Sequence, residues 1–269
     1  MLRNKKRKTI KNLTFVRDIT SIRKTQLFAI ENEYNLRVEN VRIVTPHSDL
    51  YADVAMYFGN CYKVDIRDVI IDGTYSNIDA YGYGISLNNV SHINISRLKG
   101  DGEWGLFGNN NVSNVTLKQC DINRFDVHCY GRDIYLKECV FKDLYNQFSS
   151  IYGEFRFKKC TFVDAIPILF ESSYNAYSKF NLFLDNCTVY ASKNKDFLIH
   201  GGSIMGEAST DREELRKHEY PIIHINGLKV YLPKELSYYK LYNFSKESIY
   251  SSNDSSLGIR MIRNYSQCH

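Results

Sequence analysis

Proline is scarce, with 4 in 269 residues, and glycine stands at only 15, which excludes a collagen-like, proline-rich or low-complexity chain. No apolar run approaches the ~18 residues that a membrane span needs. The N-terminal segment also lacks the apolar core of a secretion signal, so the expectation is a soluble chain that contacts no membrane and is not exported by that route. Phosphate loops, nucleotide fingerprints and redox motifs are missing too. Charge of one sign is equally lacking once it is located. The net +5 rests on Arg3, Lys5, Lys6, Arg7, Lys8 and Lys11, and taking these six from 35 basic residues leaves 29 against 30 acidic ones. A near-neutral body predicts no nucleic-acid partner, and residues 1–33 read as a basic arm with a degenerate first coil beginning near Lys11.

What the chain has in abundance is internal repetition. A pattern of apolar, any, apolar, any, polar, apolar, any, and usually apolar recurs as LRVENVRI from Leu36, VDIRDVII from Val64, INISRLKG from Ile93 and VTLKQCDI from Val115. It continues as IYLKECVF from Ile134, FRFKKCTF from Phe155, LFLDNCTV from Leu182 and IHINGLKV from Ile223. Strand alternation carries the first and third residues to one side, and a break at the fifth lets the sixth and eighth return to it. The fifth residue is polar in Asn40, Asp68, Arg97, Gln119, Glu138, Lys159 and Asn186, and Gly227 closes the series, as a sharp bend requires. A further short apolar segment, such as Met56 to Phe58 or Ile85 to Leu87, precedes most copies, so each unit holds about three strands.

Units of this size cannot bury their apolar side alone, so the copies must stack, strand on matching strand. The pattern resembles the right-handed parallel β-helix of the pectate-lyase-like superfamily, and the stretch YGISLNNVSHINISRLKGDG from Tyr83 is especially similar to its coils. The expected fold is all-β, a right-handed parallel β-helix solenoid of about eight to nine coils over residues 34–232. Residues 233–269 would form a C-terminal cap or an oligomer-contact tail. Thr210-Asp211-Arg212-Glu213, a capping-box pattern, predicts a short helical excursion near 210–219.

Cys120, Cys139, Cys160 and Cys187 all occupy the sixth position of consecutive copies, which predicts an interior ladder rather than a metal site. Seven cysteines in all, an odd number, argue against an extracellular disulfide framework.

Function must then come from outward-facing rows. Lys118, Lys137 and Lys158 share the fourth position and form either a solvated row or a cationic stripe for an acidic polymer. Asp72 and Asp101 stand at matching places on neighbouring coils and fit either the acid and nucleophile of a glycosidase or the turn that each Asp-Gly dipeptide would make alone. Asp126 and His128 should point outward together if Val127 points inward, giving a carboxylate beside a general base, with Glu103 and Glu171 on similar segments. Tyr130 and Arg132 follow on the same stretch and could bind a sugar ring and a uronate or phosphate, and Glu171 could join that binding set.

The resemblance implies work on polysaccharides, because its members include lyases, hydrolases, epimerases, phage tailspikes and non-catalytic adhesins. The polygalacturonase-like motif series and the clustered calcium carboxylates of lyases are not found, so no metal ligand is assigned and calcium enters only if the chemistry is that of a lyase. The expectation is therefore surface-polysaccharide recognition or degradation by a phage tail-associated β-helix, in a homotrimer or larger virion assembly. The chain would be made in the cytoplasm and carried to the virion tail or cell surface. A non-catalytic structural or adhesive solenoid is the alternative.

Overall fold

The computed structural model describes residues 6–16, 26–44, 54–72, 82–102, 104–148, 151–170, 179–193, 195–201 and 222–244. These form 21 strands and no helix, so among them no helix is long and apolar enough to cross a membrane. Strands of successive coils pair in parallel: Leu36 with Val64, Val64 with Ile93, Ile93 with Val115, Val115 with Ile134, Ile134 with Phe155, Phe155 with Leu182 and Leu182 with Ile223. The eight copies thus lie in one column, at the ~4.7–4.9 Å spacing of paired strands. The fold is a parallel β-helix. Its wall has three faces. The first carries the segments that precede the copies, the second the opening half of each copy, and the third the half beyond the bend.

The bend is as the sequence requires. Asn40, Asp68, Arg97, Gln119, Glu138, Lys159 and Asn186 hold φ between 52° and 55°, and Gly227 holds 70°. An added Cβ on Gly227 would lie 2.5 Å from the Asn186 side-chain oxygen, so a larger residue there would have to displace the Asn186 amide, whereas glycine takes the bend without strain. A second corner, between the first and second faces, repeats the device with Asn32, Asn60, Asn89 and Asn111, whose amides link coil to coil, as from Asn111 Nδ2 to Asn89 Oδ1 at 2.7 Å.

Inside, the first coils are filled by aliphatic side chains such as Val38, Ile66 and Ile95 and the middle coils by phenylalanines, with Phe148 against Phe155 at 4.3 Å and Phe141 stacked on Phe162 at 5.2 Å. The predicted cysteine ladder is buried and reduced, together with Cys61. Burial pushes the thiols of Cys61 and Cys160 up, and a hydrogen bond with Cys139 together with burial does the same to Cys120, which fits a packing role.

Both ends of the solenoid extend further than the repeat alone suggested. Lys8–Val16 is a strand paired along its length with the first full copy, so both Lys8 and Lys11 lie in a coil, which begins before Lys11. Lys8 takes the place held by Leu36 one coil on and meets Glu33 at 2.5 Å. At the other end, Lys240–Phe244 adds a strand beside Phe197–Gly201, inside what reads from sequence as a tail. The helical stretch expected at 210–219 lies outside the described residues, as do 245–269.

Candidate functional site

The strand Phe125–Lys137 runs from the first face round the corner into the second, and it carries most of the expected site. On the first face Phe125 and Val127 point into the core, while Arg124, Asp126 and His128 take the other side. Asp126 and His128 do come together, with His128 Nε2 3.6 Å from Asp126 Oδ2. They do not share an open surface, however. The Asp126 side chain is 0% exposed and that of His128 12%. The expectation of two outward-facing groups is corrected accordingly: the carboxylate lies beneath, and the imidazole reaches the edge.

Asp126 is buried because Arg124, itself 2% exposed, sits against it with Nε 2.5 Å from Oδ2. The contact is ionic and lacks the direction of a hydrogen bond. The other carboxylate oxygen accepts the Gln147 backbone N–H at 3.0 Å. Arg124 donates to the Trp104 carbonyl at 2.9 Å and to Gln147 Oε1 at 2.6 Å, and its guanidinium lies over the Tyr145 ring at 4.2 Å and the Trp104 ring at 5.2 Å. One side chain therefore ties the coil before it to the coil after it. Burial is the strongest single influence and opposes its charge, but the carboxylate of Asp126 together with the nearby Tyr145 and Tyr83 outweighs it and holds the guanidinium above its ordinary range.

Two glycines make room for this arrangement. A Cβ on Gly105 would meet Arg124 Cδ at 2.6 Å, and one on Gly108 would meet the Tyr83 ring at 2.7 Å. The Tyr83 ring thus crosses over Gly108, and its hydroxyl comes within 3.3 Å of His128 Nε2. The result is a polar chain from a fully buried Arg124–Asp126 pair to a nearly buried histidine shared with a tyrosine. Such a carboxylate fixes the orientation of an imidazole, and an imidazole so held can take and return a proton.

The other expected residues divide as follows. Tyr130, at the corner with φ 55°, is exposed, and Arg132 points to solvent beside Asp133 at 3.2 Å. Lys118, Lys137 and Lys158 stand in register on the second face, next to an open groove of about 550 Å³. Asp72 pairs with Arg42 at 3.1 Å. Asp101 leads into Gly102, where a Cβ would lie 2.3 Å from the Gly105 carbonyl oxygen, as a tight turn demands. The place after Asp101 in that column belongs to Asn123, whose side chain accepts from Leu106 N at 2.9 Å and donates to the Gly102 carbonyl at 2.8 Å, bracing that turn. Glu103 and Glu171 lie outside the described residues.

Arg124, Tyr83 and Gln147 complete the site and escaped the sequence reading. Arg124 was detectable, since it shares the alternation of Asp126 and His128. Tyr83 and Gln147 come from other coils, 45 and 19 residues away from His128, with no signal in the chain to join them. Among the described residues no three His, Cys, Asp or Glu side chains converge as a metal would require. Compared with known proteins, the chain matches no protein-family model and no curated protein, so its site rests on its own geometry.

Proposed function

We propose that this β-helix recognises and cleaves a surface polysaccharide, with His128 as the group that moves the proton. The observation that carries the reading is the gradient of burial along one polar chain: Arg124 and Asp126 inside, His128 at the edge, Tyr83 beside it. Asp126 orients the imidazole. Arg124 balances the charge of Asp126, so that the carboxylate can be buried at all. Tyr130 and Arg132 follow on the same strand and offer a ring and a cation to a sugar lying across the corner. The pectate-lyase-like resemblance supports a polymer substrate by analogy. A place in a phage tail or at a cell surface, as part of a larger assembly, belongs to the same reading, and the buried free thiols fit synthesis in a reducing compartment.

The test is incubation of the purified protein with acidic and neutral bacterial surface polysaccharides, read both as new reducing ends and as unsaturated-uronate absorbance, with and without calcium. Wild type should release products, and His128→Gln should lower the rate by about 10²–10⁴-fold, the range for loss of a general acid–base group. Undiminished cleavage by the variant would remove His128 from the chemistry. Binding without cleavage of any polymer would favour the non-catalytic, adhesive solenoid.

A further inference from the structure

The Phe125–Lys137 strand continues past His128 and Tyr130 on to the second face, where it enters the open groove of about 550 Å³. That volume falls within the usual range for small-molecule sites, ~300–1,000 Å³. The groove has two unlike sides. Along one, Asp133 and Glu154 present carboxylates that are already balanced: Asp133 accepts from Arg132 Nε at 3.2 Å and from Glu154 N at 3.2 Å, and Glu154 lies 3.6 Å from Arg156. Arg156 is balanced in turn by Asp185 at 2.7 Å and rests over the Phe183 ring at 3.9 Å. Along the other side Lys158 lines the groove, with Lys137 and Lys118 in register with it on the two coils before. Lys137 reaches Glu138 at 3.4 Å, but Lys118 and Lys158 meet no carboxylate among the described residues. Thr116 and Tyr135 lie between the two sides.

From this asymmetry we infer that the groove is a binding subsite for an acidic sugar, whose hydroxyls face Asp133 and Glu154 and whose carboxylate or phosphate faces Lys158 and its neighbours in the row. The chemistry of each side selects for this. Balanced carboxylates accept hydrogen bonds from hydroxyl groups without repelling the ligand as a bare charge would, and Tyr135 offers an apolar ring to the pyranose between them. The row places one lysine on each of three successive coils, ~4.7–4.9 Å apart, with Lys137 held by Glu138 and the uncompensated Lys118 and Lys158 on either side of it, so an extended chain lying along the solenoid axis meets a free cation at every second coil. The groove and His128 share one strand, on either side of the corner at Tyr130, so a chain lying along the axis in the groove runs beside the imidazole. The inference rests on the polysaccharide reading given above, but it concerns binding and requires no cleavage.

The experiment is titration calorimetry with three probes: an oligogalacturonate, a short poly(glycerol phosphate), and a neutral dextran oligomer of similar length. All are tested on the His128→Gln protein, so that no probe is consumed. At least one acidic probe should bind and the dextran should not, with affinity falling steeply as salt rises. Replacing Lys118, Lys137 and Lys158 by Ala together should weaken the acidic probe at least tenfold, and Tyr135→Ala should weaken it at low and high salt alike. Which acidic probe binds decides between carboxylate and phosphate. Failure of both acidic probes, equal binding of dextran, or unchanged affinity in the triple variant would overturn the inference. Acid-selective binding by a protein that cleaves nothing would uphold it and sink only the catalytic reading.

Discussion

Arg124 is the side chain whose loss should cost the site most. Removing one member of a buried ion pair strands the other charge, at about 3–5 kcal/mol. Arg124→Met keeps much of the length and removes the charge, so denaturant unfolding should show a loss of about 3–5 kcal/mol. Combining it with Asp126→Leu should recover much of that, since no charge is then left buried, and the difference between single and double variants measures the coupling. A double variant as unstable as Arg124→Met alone would locate the cost in lost packing on Gly105, Trp104 and Tyr145 instead. His128, at the edge, is a different case. His128→Gln should leave stability within about 1 kcal/mol of wild type, the scale of a typical substitution away from the core, which is what allows its rate effect to be read as chemistry.

At the level of the coil, the repeated bend is both the clearest structural feature and the least uniform in residue type. A non-glycine residue in the left-handed region costs roughly 1–2 kcal/mol, with Asn and Asp better tolerated. Lys159 pays that cost at φ 53°, next in its column to Asn186. Lys159→Asn should therefore raise the denaturation midpoint, by roughly 0.5–1 kcal/mol of stability, and its amide could join Asn186 much as Asn40 joins Asn12 at 2.9 Å. A lower midpoint would mean that the ammonium of Lys159 holds the corner in some other way. The bend was legible in the sequence because Asn, Asp and Gly recur at its fifth position. Arg97, Gln119, Glu138 and Lys159 obey the same angle only because the coils above and below impose it. The first coil was harder to see: KTIKNLTF from Lys8 has the right period, but Lys8 replaces the opening apolar residue. Asp126 and His128 were legible as a pair through their two-residue spacing. The depth of Asp126 was not, because the groups that bury it come from other coils through glycines whose importance is purely spatial.

On the scale of the whole molecule, a solenoid makes stability nearly one-dimensional, since each coil contacts only its neighbours and an end coil has a neighbour on one side alone. Here the interior reinforces that difference. The phenylalanine cluster from Phe107 to Phe162 fills the middle coils, whereas at the ends the inward positions are less covered: Leu13 in the first coil is 42% exposed, and Ile10, Phe15, Ile225 and Leu228 are only partly buried. Amide hydrogen exchange should therefore be slowest in Phe125–Lys137 and Ile151–Lys158, and fastest in Lys8–Val16 and Ile222–Asn226, with the coils opening from the ends inward. Phe157→Ala, at a fully buried position, should cost about 3–5 kcal/mol. The same change should bring exchange in the middle coils closer to that at the ends, because it weakens the contacts through which neighbouring coils support one another. If all strands instead exchanged at one common rate, and that rate shifted uniformly in Phe157→Ala, the coils would have to unfold as a single cooperative unit. The site around Arg124 would then owe its rigidity to the entire chain rather than to the coils on either side of it.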